Sequence, residues 1–367
     1  MKILHVVPSF GLGGMEKVIC SIVDNLSDGY CHEILALDNN TGAGKWIRGS
    51  HVRFHEFQRP PGRLQFFRAL YGVLRERTPG LLMTYNWGAT DAIWLGTLAG
   101  VRKIIHSEHG FNMDEAQATL WKRNLVRAVV YRLASSVIVV SEALARLMHD
   151  QYHLKPERVA IIPNGVDTDV YCPEKGVGTR IRKELGLLAS DLVIGFAGRL
   201  DPVKNFSFML EVFEGCLKMD QRFRLVIIGE GPEEEGIRTL CRHKGLTSFI
   251  RLVGKQDDVL PYLRALDMFL LTSVREQMPM SLLEAMAVEL PIVASAVGDI
   301  PGFIATGTEG FVFALRMGSE SFSQALYELA DEATRRRMGR AARQKVVASL
   351  SECRMLQRYR ELIGVSA

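Results

Sequence analysis

The six cysteines of this 367-residue sequence form no C-x-x-C pair and no Cys/His cluster with zinc-ligand spacing. Scattered cysteines are typical of free thiols in a reducing compartment, which argues against a disulfide framework and a structural zinc site. The N-terminus lacks the apolar stretch and small-residue cleavage site of a signal peptide. No uncharged apolar run reaches the ~18 residues of a spanning helix. We therefore expect a cytoplasmic protein, which leaves contact with a membrane surface open.

Strong charge bias and low-complexity sequence are also missing. The formal net charge is +4, too mild to indicate a nucleic-acid partner. Hydrophobic residues make up 47% and charged residues 23%, which are values of a globular chain. Since domains usually contain about 100–200 residues, the length predicts two of them.

Short apolar runs alternate with helical stretches, twice over. These runs are Ile3–Val7, Glu33–Leu37, Leu81–Thr84, Lys103–His106 and Ser136–Val140, then Leu192–Ala197, Arg224–Ile228, Ile250–Val253, Met268–Leu271 and Ile292–Ala294. Runs without polar alternation are typical of parallel strands buried on both faces. The fold class is therefore α/β, with two doubly wound Rossmann-like domains facing across a cleft.

The predicted domains are residues 1–170 and 178–349, joined by a Gly- and Pro-rich linker in Pro163–Gly178. The chain ends in a helical pattern over Glu320–Ile363, in which Gly339 indicates a bend. The last helix, about 350–367, is predicted to pack back on the first domain. Because ligands of open parallel sheets bind at the carboxyl ends of strands, the loops there should carry the function.

The first such loop is Gly11–Glu16, which opens a helix. Its glycines allow backbone amides to approach an anion. The loop fits the dinucleotide fingerprint loosely, since Glu16 stands where G-x-G-x-x-G has glycine, although Asp38 follows the second strand as a ribose-binding acid would. A plain tight turn and closure over a donor phosphate or acceptor are the other interpretations.

His109 follows the strand Lys103–His106, in the loop Ser107–Phe111. A histidine at the carboxyl end of a strand is well placed to contact a reacting group. A purely structural hydrogen-bonding histidine is the alternative.

The first loop of the second half places two cations close together. Arg199 and Lys204 lie five residues apart across a turn that contains Pro202. The turn can fold both toward one point, which suits a diphosphate. The next loop, Gly229–Pro232, has glycines that permit a close backbone turn.

The strongest pattern is the segment from Glu276 to Glu284. Pro279 suits the first position of a helix, predicted as Met280–Val288, whose free amides face the loop. A helix start binds phosphate, and carboxylates accept hydroxyls from a sugar or ribose. These features together predict a nucleotide-sugar site.

The sequence resembles the retaining GT-B glycosyltransferases of family 4 over essentially the whole chain. The E-x7-E pattern from Glu276 to Glu284, followed by Ala-Met-Ala, is the most specific match. Segment Gly198–Asn205, linker Ile162–Asp167, the Gly-Gly loop and the His109 loop also agree. The resemblance implies a transferase that moves a sugar from a UDP- or GDP-sugar to a glycan or lipid-linked glycan, in cell-surface or extracellular polysaccharide synthesis.

The resemblance also implies the roles of individual residues. His109, Arg199, Lys204 and Glu276 would be the catalytic set: Arg199 and Lys204 neutralise the leaving diphosphate, Glu276 contacts sugar hydroxyls, and His109 lines the sugar-phosphate site. Glu284 would hold the ribose. The other donor-binding residues would be Gly13, Gly14, Gly198, Gly231, Met278, Pro279 and Met280.

The chain departs from the family pattern near the donor. Gln277 and Pro279 stand where glycines are usual, Glu289 replaces another glycine, and the segment 298–302 is altered. Asp167-Thr168-Asp169 is a D-x-D string of the kind that binds metal elsewhere, but Asn164-Gly165 beside it favour a turn. We expect neither a metal nor a cofactor, since two cations and a helix start can neutralise a diphosphate.

Two stretches of the first half are both basic and apolar. They are Arg59–Arg77 and Thr119–Arg132, and basic amphipathic helices with aromatic residues can lie on anionic lipid. Packing of these helices on their own sheet is the alternative. The hypothesis is peripheral binding to the inner face of the cytoplasmic membrane. The basic run Arg335–Lys345 is interpreted as a solvated helix face.

Other classes of protein fit parts of the sequence. An NAD-type Rossmann oxidoreductase would use the Gly11–Gly14 loop, but it leaves the cations and glutamates of the second half unexplained. A non-catalytic sugar-nucleotide or glycan-binding module would keep the same residues. A GT-B phosphorylase would usually need a pyridoxal lysine in a much longer chain.

Overall fold

The computed structural model describes residues 1–27, 29–49, 51–110, 121–174 and 176–364. The chain divides into two compact units. The first is Met1–Asn164 with Cys353–Ala367, and the second is Gly165–Glu352. The chain thus enters the second unit inside the predicted linker and leaves it at the start of its last helix.

The first unit is built on a parallel sheet that has seven strands in its described residues. They are β1 (Lys2–Val7), β2 (Cys31–Ala36), β3 (Val52–His55), β4 (Leu81–Tyr85), β5 (Ile104–Glu108), β6 (Ser136–Val139) and β7 (Val159–Ile161), in the order β3-β2-β1-β4-β5-β6-β7. Helices of this unit are Gly14–Asn25, Arg63–Arg77, Asp91–Leu98, Trp121–Val130, Glu142–Asp150 and Glu352–Ile363. Side chains of β1 and β4 are buried on both faces, which explains their unbroken apolar sequence.

The second unit has a six-stranded parallel sheet in its described part. Its strands are β8 (Leu192–Ala197), β9 (Phe223–Ile228), β10 (Ile250–Gly254), β11 (Met268–Leu271), β12 (Ile292–Ser295) and β13 (Gly310–Phe313), in the order β10-β9-β8-β11-β12-β13. The helices are Val177–Glu184, Phe206–Met219, Glu234–His243, Leu260–Leu263, Met280–Ala287, Ile300–Phe303, Ser319–Glu328 and Glu332–Ser349. Both units are doubly wound, as predicted.

The sequence missed three strands, and each lies at an edge of its sheet. Val52–His55, Val159–Ile161 and Gly310–Phe313 are short and largely half-buried. An edge strand faces solvent on one side, so it lacks the continuous apolar run by which a central strand is identified.

The predicted bend at Gly339 is wrong. Helix Glu332–Ser349 runs through this residue without interruption, and the long C-terminal pattern breaks instead before Glu332 and again after Ser349. Gly339 is required by packing, since a Cβ there would collide with the carbonyl oxygen of Glu289.

No helix among the described residues has the length and apolar character needed to cross a membrane.

Candidate active site

The two loops predicted to bind the donor meet at one point of the second sheet. Strands β8 and β11 are neighbours, and the chain turns to opposite sides of the sheet from this pair. Ligands of doubly wound sheets bind where the strand order reverses in this way. The loop after β8 contains Arg199 and Lys204, and the loop after β11 contains Glu276. The fold therefore brings segments that are far apart in sequence to the edge at which a ligand is expected.

Hydrogen bonds join the two loops directly. The amide of Val274 donates to the carbonyl of Val203 at 2.9 Å, and the hydroxyl of Thr272 donates to the carbonyl of Lys204 at 3.0 Å. Lys204 ends a short 3-10 turn that starts at Pro202, and Asn205 then takes a left-handed conformation with φ of 57°. Asparagine tolerates this region, so the Pro-Val-Lys-Asn sequence accounts for the local turn.

Lys204 and Glu276 form an ion pair in this corner. Lys204 Nζ lies 2.5 Å from Glu276 Oε1, with only 16% and 11% of the two side chains exposed. The buried hydroxyl of Ser273 donates to the same carboxylate oxygen at 2.7 Å. The ammonium group is therefore fixed before any ligand arrives, and a diphosphate would compete with Glu276 for it.

Arg199 is held differently from Lys204. Its side chain is 72% exposed, and its Nε lies 3.2 Å from Asp201 Oδ1. Each cation thus has its own carboxylate partner. The prediction that both turn toward one point stays a prediction, which requires Arg199 to leave Asp201 when an anion binds.

The helix that carries Glu284 starts at Met280, as predicted, but it ends at Ala287 rather than Val288. Pro279 lies just before the first helical residue, at the cap position, with φ of −70° and ψ of 123°. The amides of Leu282 and Leu283 donate to the carbonyl of Pro279, so the amides of Met280 and Ser281, at the very start of the helix, are the donors expected to meet an anion. Met278 is buried at 7% exposure beside this start.

Glycines allow neighbouring loops to pack closely around the site. A Cβ on Gly231 would collide with the carbonyl of Leu200, next to Arg199, and a Cβ on Gly298 would collide with the carbonyl of Glu276. Gly231 therefore has a packing role at least, and Gly198 connects β8 to the Arg199 loop. The amide oxygen of Gln277 is buried and has no hydrogen-bond partner among the described residues. Such an orphan acceptor suits a sugar hydroxyl.

Glu284 is almost fully buried, with 2% of the residue exposed. Burial and the negative charge of Glu284 raise the pKa of Tyr171, a residue of the linker that sequence analysis did not select. The two lie more than a hundred positions apart, so no local pattern indicates this interaction.

Gly13 and Gly14 begin the first helix of the other unit, with Gly13 at the cap position. A Cβ on Gly13 would collide with the carboxyl of Glu16, which therefore lies against this loop. Burial raises the pKa of Glu16 to about 7, and the charge of Asp38 adds to the rise. A carboxyl group occupies the position at which a dinucleotide fingerprint would have a third glycine, which disfavours a pyrophosphate there.

His109 is the first residue after strand β5, which continues to Glu108 and not only to His106 as predicted. Its amide donates to Asn86 Oδ1 at 2.7 Å, and its Nε2 lies 3.0 Å from Ser107 Oγ. Burial lowers the pKa of His109 to about 4, so the ring is neutral at physiological pH. Of the predicted loop Ser107–Phe111, the last residue, Phe111, lies outside the described residues.

A residue from the end of the chain supports this histidine. Tyr359, on helix Glu352–Ile363, is buried, and burial raises its pKa to about 12, although the side chain of Ser107, which contacts His109, opposes the rise. Lys103 Nζ also binds the carbonyls of Leu362 and Ile363. The last helix is thus part of the structure that positions His109, a link that sequence spacing does not indicate.

The D-x-D string forms a turn. Asp167 Oδ1 accepts the amides of Asp169 at 3.1 Å and Val170 at 3.0 Å, which is the geometry of an Asx-turn. One carboxylate oxygen is therefore engaged by the backbone, in agreement with the interpretation of this segment as linker turn chemistry.

Two family models match the chain. The model for glycosyl transferases group 1 matches residues 178–345, and the model for glycosyltransferase family 4 matches residues 12–170. The chain has two doubly wound units, and the loops that contain Lys204 and Glu276 meet at the switch point of the second sheet. Together with the two family models, these features define the class as a glycosyltransferase of the α/β GT-B type. The chain belongs to the glycosyltransferases of family 4.

Curated relatives are distant but extend over most of the chain. A protein named as glycosyltransferase EpsF, from Bacillus subtilis (strain 168), is 26% identical over 317 residues, which is 80% of this chain and 79% of that protein. The UDP-Gal:alpha-D-GlcNAc-diphosphoundecaprenol alpha-1,3-galactosyltransferase of Escherichia coli is 27% identical over 308 residues, which is 80% of this chain and 77% of that protein. The N-acetyl-alpha-D-glucosaminyl L-malate synthase of Bacillus anthracis is 27% identical over 321 residues, which is 84% of this chain and 83% of that protein.

Solved structures agree on the fold. HepE of Anabaena, in complex with UDP and glucose, superposes with a TM-score of 0.86 at 19% identity, over 100% of both chains. A glycosyltransferase from Rickettsia africae ESF-5 gives a TM-score of 0.83 at 16% identity, over 100% of this chain and 99% of that one.

Proposed function

We propose that this enzyme transfers a sugar from a UDP- or GDP-sugar, of which a UDP-sugar is the favoured donor, with retention at the anomeric carbon. The acceptor is a glycan or lipid-linked glycan of a cell-surface or extracellular polysaccharide, and the reaction takes place at the cytoplasmic face. The name of one relative, which includes UDP-Gal and a diphosphoundecaprenol acceptor, supports the donor and the acceptor. Membership of family 4 supports retention.

The observation that carries the proposal is the Lys204–Glu276 pair at the switch point of the second sheet. When the donor binds, Lys204 meets the diphosphate and Glu276 is released toward the sugar hydroxyls. The start of helix Met280–Ala287 and Arg199 add positive potential as the leaving group gains charge. Glu284 binds the ribose, and neutral His109 acts as a hydrogen-bonding group near the sugar.

Substitution of the pair tests this directly. Lys204→Ala and Glu276→Ala should each reduce turnover about 100- to 1000-fold, as removal of one preorganised charge-stabilising group does elsewhere. The assay is transfer, or hydrolysis of the donor, with a panel of UDP- and GDP-sugars. Thermal unfolding reports whether the variants stay folded.

A second ion pair of the same unit provides a matched control. Lys244 Nζ lies 2.6 Å from Glu214 Oε2, away from the switch-point loops. This distance is close to the 2.5 Å between Lys204 Nζ and Glu276 Oε1. Lys244→Ala should leave transfer unchanged. Near-normal transfer by Lys204→Ala and Glu276→Ala, with folding intact, would reject the assignment of the site.

We also propose that the diphosphate is neutralised without a metal ion. The support is the set of cationic groups at the site: Lys204, Arg199 and the helix start. Transfer should survive an excess of EDTA and should not rise on addition of Mg²⁺ or Mn²⁺. Loss of activity in EDTA that either ion restores would contradict this part of the proposal.

Membrane contact is proposed through one of the two basic stretches. Helix Trp121–Val130 and the turn after it expose an apolar stripe at four-residue spacing, formed by Trp121, Leu125, Val129 and Leu133, which are 66%, 59%, 56% and 44% exposed. Exposed Lys122 and Arg132 flank it. An apolar stripe with basic neighbours suits an anionic lipid surface.

Other parts of those stretches have structural roles. Arg127 is buried, with its Nε 4.0 Å from Glu108 Oε2, so it does not belong to the exposed basic face. On helix Arg63–Arg77, Phe66, Leu70 and Leu74 are buried, which supports packing of that helix on its own sheet. Thr119 lies outside the described residues.

Sedimentation with vesicles can show which of the two helices contributes to membrane binding. Leu125→Glu should weaken binding to phosphatidylglycerol vesicles at low salt by roughly tenfold, because it places a charge in the stripe. Leu64→Glu is the matched control, since Leu64 is 78% exposed on the other helix. Equal binding by both variants, or no binding by the unmodified protein, would reject the membrane surface.

A further inference from the structure

Asn86 lies where the strand order of the first sheet reverses. It is the first residue after β4, and β1 and β4 are neighbours from which the chain turns to opposite sides of the sheet. Ligands of doubly wound sheets bind at the carboxyl ends of strands at such a point. The motifs of the sequence did not select this residue, although it is already in contact with one that they did select, His109.

The side chain of Asn86 provides the last bond of the ladder between β4 and β5. The amide of Asn86 donates to the carbonyl of Ser107 at 2.9 Å, and in a continuing parallel ladder the amide of His109 would then donate to the Asn86 carbonyl. That carbonyl instead accepts the amide of Ala89 at 3.1 Å, and Asn86 Oδ1 accepts the His109 amide at 2.7 Å. The side chain therefore keeps His109 in register while the main chain turns away.

This turn puts the backbone of Asn86 in an unusual conformation. Its φ of 53° and ψ of 176° lie in a region that few residues other than glycine adopt. Glycine would relieve the strain, but it would leave the amide of His109 without this acceptor. A strained residue that bonds to a site residue at the carboxyl edge of a sheet indicates a functional constraint.

The other half of the same side chain reaches the helix after the glycine-rich loop. Asn86 Nδ2 donates to the sulfur of Met15, the second residue of helix Gly14–Asn25, at 3.3 Å. The ring of His109 lies against that of Tyr85, the residue before Asn86, with 6.3 Å between the ring centroids. Asn86 thus connects the segments that follow β1, β4 and β5 in the first unit.

We propose that Asn86 is a positioning residue that holds His109 at the place from which it contacts the sugar. The inference rests on the proposed function, in which His109 is a hydrogen-bonding group near the sugar. A displacement of about 1 Å in a positioned group can reduce turnover about 100-fold. Because the proposed diphosphate and ribose contacts belong to the second unit, loss of Asn86 should slow the reaction and leave nucleotide binding unchanged.

Asn86→Gly and Asn86→Asp separate the side-chain contact from the backbone conformation. Glycine fits the turn and removes the acceptor, whereas aspartate keeps an oxygen for the His109 amide. The assay is hydrolysis or transfer of the UDP- or GDP-sugar that the unmodified protein uses fastest. For Asn86→Gly, kcat should fall about 10- to 100-fold, while the KM of the donor and the calorimetric Kd of its nucleoside diphosphate change by less than about twofold. Asn86→Asp should keep kcat within about threefold of the unmodified value.

Asn39→Gly is the matched control for the fold. Asn39 also has a left-handed φ, of 61°, and its Oδ1 accepts the amide of Phe57 at 2.6 Å, so glycine removes the same kind of contact there. Its kcat should stay normal, and the Tm values of the two glycine variants should agree within about 3 °C. A larger fall in Tm for Asn86→Gly, together with loss of nucleotide binding, would show a role in the fold alone and would overturn the inference.

A second experiment tests whether Asn86 acts through His109. In a His109→Ala background, Asn86→Gly should lower kcat by less than about twofold, because the group that Asn86 positions is already absent. Losses that multiply would show an independent role for Asn86 and would overturn the inference. An Asn86→Asp variant as slow as Asn86→Gly would overturn it as well.

Two further outcomes separate the inference from the proposed function. Normal kcat in Asn86→Gly, with a slow His109→Ala variant, would overturn the inference and leave the proposed function intact. Full activity of His109→Ala, or no reaction of the unmodified protein with any UDP- or GDP-sugar, would overturn the sugar-contacting role of His109 or the proposed function itself, and the inference with it.

Discussion

At the scale of single residues, the surroundings of His109 determine its chemical form. Burial lowers its pKa to about 4, and although the charge of Glu108 favours protonation, it does not compensate. Hydrogen bonds to Ser107 and Asn164 hold the ring in place. A neutral imidazole has one donor and one acceptor and carries no charge that could neutralise phosphate, so a substrate hydroxyl would bind the ring by replacing Ser107 or Asn164.

This shift predicts a pH-dependent stability. The unfolded chain binds the His109 proton near pH 6.5, whereas the folded chain binds it only near pH 4, so the unfolded state holds more protons between these values. The stabilising contribution is complete above pH 6.5 and is lost as the pH falls toward 4. The fall in Tm from pH 7 to pH 5 should be smaller in His109→Gln than in the unmodified protein, by about 2–4 °C.

Differential scanning fluorimetry at several pH values would measure the Tm of His109→Gln and of the unmodified protein. The buried His5 has a lowered pKa from burial and from the nearby His32, so part of the acid sensitivity should remain in the variant. Identical Tm profiles for both proteins would mean that His109 is not kept neutral by the fold.

Motif spacing selects residues for a candidate site, but it does not indicate which groups those residues contact. Motif spacing selected Lys204, Glu276 and Glu284, because a local pattern of charge, proline and helix start carries that information. The ion pair of Lys204 with Glu276 joins positions 72 apart, and the bonds of Lys103 to the carbonyls of Leu362 and Ile363 join positions 259 and 260 apart. Such contacts depend on strand order in the sheet, which residue spacing alone does not specify.

At the scale of elements, the end of helix Met280–Ala287 shows what one departure from the family pattern does. Glu289 has a left-handed φ of 67°, the conformation in which glycine usually ends a helix. The amide of Leu290 donates to the carbonyl of Ala285, and that of Glu289 to Met286, so the capping geometry is kept without glycine. The unusual residue in the sequence therefore marks a strained backbone position, not a different turn.

Helix Glu332–Ser349 packs on this turn through Gly339, which yields a prediction about stability. Gly339→Ala should lower the free energy of unfolding by about 1–3 kcal/mol, because the added methyl meets the Glu289 carbonyl. Gly236→Ala, on helix Glu234–His243 of the same unit, should raise it by about 0.5–1 kcal/mol, since a Cβ there meets nothing within 4 Å.

Urea unfolding followed by circular dichroism would compare the two alanine variants. Opposite signs are expected because the helix propensity gain is shared and only Gly339 adds a clash. Stabilisation by both variants would show that the helix can move away from Glu289 and would contradict the packing role of Gly339.

At the scale of the whole molecule, the most specific sequence motif, Glu276 to Glu284, and the buried Lys204–Glu276 ion pair both lie in the second unit. Lys204, Glu276, Glu284 and Tyr171 all belong to Gly165–Glu352, as does the helix start after Pro279. The doubly wound class was predictable because buried parallel strands have an unmistakable apolar sequence. Three of the four edge strands and the breaks between the last helices were not predicted, since both depend on which neighbour covers them.

This distribution predicts where UDP will stabilise the protein. At about 100 times its Kd, UDP should add roughly 2.7 kcal/mol to the stability of the unit that binds it. Hydrogen exchange measured by mass spectrometry should show protection in segments 198–205 and 272–287. Lys204→Ala should lose most of this protection at the same UDP concentration, because the diphosphate loses its fixed cation. Protection confined to the Gly11–Gly14 loop, with NAD more effective than UDP, would instead favour the dinucleotide interpretation of the first unit and contradict the donor site proposed for the second.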